Sequence, residues 1–117
     1  MPALSTVANT KILPFEVKNQ NMLYAAYMDF IKNGGLFIVT PGRFHLGDSV
    51  YVLLTFAETG ERFSVNGRVV WITPTGGLAR RPSGVGVQFP PEEAHELQKK
   101  IEAMLAGHDA TQATLTL

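Results

Sequence analysis

The sequence contains no cysteine, which removes disulfides, thiolate metal sites and cysteine nucleophiles from consideration. It has no apolar run approaching the roughly 20 residues that a membrane-spanning helix needs. Neither sign of charge is in excess: ten Lys and Arg balance ten Asp and Glu, for a formal net charge of zero. Such a chain has no long-range field with which to gather nucleic acid or an anionic membrane surface. A small barrel binding single-stranded nucleic acid would want a basic stripe with interleaved aromatics, and none is present. The opening residues Met1 to Val7 carry no basic region and no long apolar stretch, unlike a secretory signal. These absences read as a cytoplasmic protein with no direct membrane insertion and no nucleic-acid partner.

Chemistry-bearing constellations are equally scarce. The three histidines, His45, His95 and His108, have none of the spacings of a metal site such as HExxH. The acidic residues Asp29, Asp48, Glu58 and Glu61 stand at or near turns, where turn chemistry accounts for most of them. No pair of them is placed by chain order to work as acid and base. The expectation is a protein that is not an enzyme and takes no metal or other cofactor.

What the chain does have is a globular composition: 117 residues, 45% hydrophobic and 17% charged, enough for one domain with one core. Residues 1–10 are small and polar and read as a flexible lead-in, residues 11–107 as the domain, and residues 108–117 as a flexible polar tail. Ile12 to Lys18 reads as an edge strand, since Pro14 cannot donate to a ladder. In Asn21 to Ile31, the residues Tyr24, Tyr27, Met28 and Ile31 fall at i, i+3, i+4 and i+7, which predicts a short helical turn capped by Asn21. Asn33-Gly34-Gly35 is a turn, Leu36 to Val39 a buried strand and Leu46-Gly47-Asp48 another turn. Ser49 to Phe56 is rich in β-branched and aromatic residues and is the clearest strand. Glu58-Thr59-Gly60-Glu61 then makes a hairpin into a long strand, Arg62 to Ile72, with a bulge expected at Gly67. Pro74 to Pro82 is a loop holding Arg80 and Arg81. Gly84 to Phe89 is the last strand, its Gly84-Val85-Gly86 read as a tight packing point. Pro90 and Pro91 open a helix with Glu92 and Glu93 at its positive end, an apolar stripe of Ala94, Leu97, Ile101, Met104 and Leu105, and Gly107 as its C-cap.

Four stretches together resemble the PilZ-domain family: Asn33-Gly34-Gly35-Leu36-Phe37-Ile38, Leu46-Gly47-Asp48-Ser49-Val50, Gly67-Arg68-Val69-Val70-Trp71-Ile72, and Gly84 to Phe89 followed directly by a helix. Leu23-Tyr24-Ala25-Ala26-Tyr27-Met28 with Lys32-Asn33-Gly34-Gly35 further resembles the stand-alone type IV pilus assembly subgroup of that family. The resemblance covers residues 12–106. It implies a mainly β fold, a six-stranded antiparallel barrel with a C-terminal helix packed on it.

The family usually binds cyclic-di-GMP through an Arg-x-x-x-Arg near the N-terminus and an Asp/Asn-x-Ser-x-x-Gly at a turn. This sequence departs from both. Its first arginine is Arg43 and no two arginines stand four apart. With Gly35 as the motif glycine, Phe30 occupies the Asp/Asn position and Lys32 the Ser position; shifting by one to Gly34 places Asp29 correctly but puts Ile31 where serine should be. The charge-assisted grip on the dinucleotide phosphates is missing. The residual anion site is Arg80, Arg81 and Lys32, and a direct cyclic-di-GMP sensor using them is the alternative reading. The leading one, implied by the subgroup resemblance, is an adaptor required for type IV pilus biogenesis and twitching motility. Its partners would be the pilus-assembly ATPase and a degenerate EAL-domain cyclic-di-GMP receptor, so the protein serves cyclic-di-GMP signalling without holding the nucleotide. The candidate partner-binding residues are Tyr24, Tyr27, Met28 and Phe30, dense with large side chains of the kind enriched at interfaces, and Trp71, which ends a strand as core or rim.

Overall fold

A computed structural model describes residues 11–74 and 82–106. The elements run β1 (Lys11–Val17), α1 (Gln20–Ala26), β2 (Gly35–Val39), β3 (Ser49–Phe56), β4 (Glu61–Thr73), β5 (Gly84–Gln88) and α2 (Pro91–Leu105). The strands form one sheet in the order β1-β3-β4-β5-β2. The readings of the lead-in, the tail, Gly107 and the Arg80-Arg81 loop fall outside the described residues.

Alternation builds the sheet. Along β3 the residues Val50, Val52, Leu54 and Phe56 are buried while their neighbours are not, which is the period of two expected of a strand with one covered face. Leu13 and Val17 of β1, Val65 and Val69 of β4, Val85 and Val87 of β5, and Leu36 and Ile38 of β2 join them in one core cluster. Gly60, at φ 76°, turns β3 into β4. The helix α2 then lays Ala94, Leu97 and Ile101 on that core, each large aliphatic side chain stabilising the fold by about 1.5–3 kcal/mol. The Lys100 ammonium pairs with Glu61 at the hairpin, and this holds the Glu61 carboxyl below the usual carboxylate range, with help from the Thr59 hydroxyl.

The closed six-stranded antiparallel barrel with one helix is overturned. Five strands are present among the described residues, in a curled but open half-barrel, with two helices. Nor is the sheet wholly antiparallel, since β1 runs parallel to β3, from Lys11 opposite Val50 to Val17 opposite Phe56. The reason lies in the chain between the two edge strands. Asn19 caps α1 by accepting a hydrogen bond from the Met22 N–H at 2.9 Å, so the cap is Asn19 and not Asn21. Leu23 and Ala26, three apart, face the core. At Tyr27 the backbone turns extended, and Tyr27 makes a single antiparallel bridge to Leu36. The residues that could have supplied a sixth strand are thus spent on a helix lying between β1 and β2 and contacting both.

The bulge also moves. Gly67 sits in regular register opposite Val50, and the extra residue is Val70: Val69 pairs with Val87, while Trp71 pairs with Gly86. Gly67 is glycine for another reason, since a Cβ there would lie 2.2 Å from the Val87 Cγ1.

Candidate functional site

The register of β4 and β5 decides which face carries Trp71. Val69 and Val87 are paired and both point into the core. Strict alternation along β4 would send Trp71 the same way. The extra residue at Val70 instead pairs Trp71 with Gly86, whose neighbours Val85 and Val87 face inward, so Trp71 lies on the outer face. Re-aiming one side chain is a common use of a bulge.

Around it a second apolar layer forms. The Phe30 and Trp71 rings meet edge to face, with centroids 5.7 Å apart and planes at 67°, the geometry favoured by the aromatic quadrupoles. The Trp71 indole N–H donates to the Thr73 hydroxyl at 3.0 Å. Met28 approaches the position where Gly86 would carry a Cβ to 2.7 Å and is fully buried. Phe37 lies over Gly84 in the same way. Neither Met28 nor Phe37 belongs to the inner core cluster; both are buried on the outer side. Phe30 is carried out by the turn after Met28, in which the Met28 N–H donates to the Gly35 carbonyl at 2.9 Å and the Gly34 N–H to the Ile31 carbonyl at 2.8 Å. Asn33 and Gly34 take positive φ there, 70° and 76°.

The structure therefore brings Met28, Phe30 and Trp71 together, with Phe30 45% exposed and Trp71 half-buried. Tyr24 is half-buried on α1. Tyr27 is turned elsewhere: it is 9% exposed, and its hydroxyl donates to Glu102 on α2 at 3.1 Å. Burial first, then the hydrogen bond and charge of Glu102, push its pKa up to about 12. With the Gln20 amide donating to the Met104 carbonyl at 2.9 Å, this contact ties α1 to α2. Lys32 is exposed, and its carbonyl accepts from the Gln88 side chain at 2.8 Å.

Sequence reasoning missed Gly86 and Thr73 as members of this site, and missed the bulge that makes them so. The signal available was the Gly-x-Gly inside a strand, which marks close approach of something bulky. A separate concavity of about 500 Å³ lies beside the start of α2, lined by Asn33, Ser49, Asn66, Arg68, Gln88 and Glu92 among others. Its lining holds a single cation, Arg68, alongside the carboxylate of Glu92, without the pair of arginine forks that grips a dinucleotide's phosphates. No group of three or more metal-ligating side chains occurs among the described residues, and no helix there is long and apolar enough to cross a membrane. Among known protein families, the PilZ domain matches residues 11–107. No curated protein matches the sequence.

Proposed function

The chain belongs to the PilZ-domain family, a non-enzymatic family, and from that premise we propose that it is an adaptor rather than a nucleotide receptor. The observation that carries this is the Phe30–Trp71 pair. With Gly34 as the motif glycine, Asp29 fits but Ile31 replaces the serine; with Gly35, Phe30 stands where the family's ligand motif has an acidic or amide side chain, packed against an indole instead of offering a hydrogen-bond acceptor. Lys32 stands where the motif has serine. Each charge-assisted hydrogen bond forgone weakens dinucleotide binding by about 1.5–3 kcal/mol. The same apolar surface suits a protein partner, since aromatic side chains at a desolvated centre dominate interface energetics.

The adaptor works in the cytoplasm in type IV pilus biogenesis and twitching motility. It contacts the pilus-assembly ATPase and a degenerate EAL-domain receptor of cyclic-di-GMP, downstream of the nucleotide. Trp71, Phe30 and Tyr24 make the contact; Met28 supports them from beneath, and Tyr27 sets α1 against α2. Two measurements test this. Calorimetry should give no saturable cyclic-di-GMP binding below about ten micromolar; such binding sinks the adaptor reading in favour of a direct sensor. Trp71→Ala should weaken binding to the ATPase or the EAL receptor by roughly 30- to 1000-fold with the fold intact. Unchanged binding to both removes this surface from the interface.

A further inference from the structure

Three independent contacts hold the Trp71 side chain: the Thr73 hydroxyl on its indole N–H, the Phe30 ring against the indole, and the bare backbone of Gly86 opposite its Cβ. The last is the most restrictive. A Cβ at residue 86 would lie 2.7 Å from the Met28 sulfur and 2.7 Å from the Trp71 Cβ, closer than packed atoms approach. The sulfur ends a flexible side chain, but Met28 is fully buried and has little room to yield. The Trp71 Cβ is fixed to the strand and can move only with it. Gly86 has no positive φ, so backbone freedom is not why glycine stands there. Its missing side chain is the seat that admits the Met28 thioether beside the root of the Trp71 side chain, at Cβ.

We propose that Gly86 and Met28 are positioning residues: together with the Val70 bulge they set the angle at which the Phe30–Trp71 pair meets a protein partner, a role that rests on the reading of that pair as the interface. Gly86 supplies the empty space and Met28 fills it from the side. The bulge supplies the extra residue that brings Trp71 over both. Neither Gly86 nor Met28 need touch the partner.

Trp71 is the one tryptophan in the chain, so its fluorescence and near-ultraviolet circular dichroism report this seat alone among indoles. In the full-length protein, Gly86→Ala should reduce the near-ultraviolet indole band, raise acrylamide quenching of Trp71 and weaken partner binding at least about tenfold, with the far-ultraviolet spectrum retained. Met28→Ala should do the same, while Met28→Leu, which nearly conserves volume, should restore both signature and binding. All are measured below the melting midpoint of the least stable variant. If Gly86→Ala and Met28→Ala lower the midpoint but leave the indole signature and the binding unchanged, their role is structural only and the proposal fails. It fails equally if the indole signature changes in both and binding does not, while Trp71→Ala abolishes binding. If Trp71→Ala itself leaves binding unchanged, the interface reading fails; in that case an unaltered indole signature in Gly86→Ala overturns the seat as well, and an altered one upholds it.

Discussion

On the inner face of the sheet, Val50, Val52, Leu54, Phe56, Val65 and Val69 are each 2% exposed or less. On the outer face around β5, Met28 and Phe37 are buried as deeply, yet Phe30 beside them keeps 45% of its surface. The inner layer is closed by two helices whose apolar stripes match it. The outer layer is built by removing side chains: Gly84 and Gly86 leave room for Phe37 and Met28 to lie directly on the backbone, and for the Trp71 Cβ beside Met28. The side chains that lie on these glycines, Phe37 and Met28, are fully buried; Phe30, which lies on neither and meets the Trp71 ring, keeps its edge open to solvent. On the proposed reading, that edge is where a partner would displace water from an aromatic pair.

The sharpest way to break this comparison is to truncate the inner layer. Ile101→Ala and Leu23→Ala should each destabilise the fold by about 2–5 kcal/mol, read from denaturant unfolding, while the protein still folded binds its partner normally. An unchanged midpoint in both would mean that neither helix closes the core. Beside Leu23 on the same helix, Tyr24 should behave oppositely. Tyr24→Ala should leave the midpoint nearly in place and weaken binding to the ATPase by about 2–4 kcal/mol. A strongly lowered midpoint with normal binding would assign Tyr24 to packing.

A third variant separates the two halves of the outer layer. At Gly84 a Cβ would meet the Ile38 carbonyl oxygen at 2.4 Å and the Phe37 ring. Gly84→Ala should therefore cost about 1–3 kcal/mol of stability with the Trp71 spectrum of the folded protein unaltered. A changed spectrum would show that Phe37 and Trp71 move as one unit.

The smallest effect sits where α1 meets α2. A tyrosine with a folded pKa of about 12 against an ordinary 10.0 favours its neutral form in the folded state. Its contribution is complete below pH 10 and is lost as the pH rises from 10 to 12. Tyr27→Phe should cost about 0.5–1.5 kcal/mol at neutral pH, the worth of one hydrogen bond, because Glu102 is exposed and stays solvated. It should also flatten the alkaline part of the stability profile. An unaltered alkaline fall would place its origin in another group.

Much of this molecule was legible in the order of its residues. All five strands, the hairpin at Gly60 and the α2 stripe follow from alternation, glycine turns and helical spacing, because those patterns act over a few neighbours at a time. The residues of the outer site were also visible as an unusual density of large side chains before Gly34, and the Gly-x-Gly of β5 announced a close approach without naming what approaches. Three things were decided only by tertiary structure. A crossover makes β1 parallel to β3, and α1 takes the space between β1 and β2, so the sheet stays open; strand spacing alone says nothing of either. A single extra residue at Val70 sends Trp71 outward, and a bulge depends on how two strands register across the chain that separates Trp71 from Gly86. Met28 and Phe30, two apart and alike in hydrophobicity, part company because one lies on Gly86 and the other is carried past it by the turn. Local pattern settled which residues are apolar and the strands they build, but not the face of α1, which ends at Ala26 and buries Leu23 and Ala26 rather than a stripe running on to Ile31; register and crossing settled which apolar residues stay exposed.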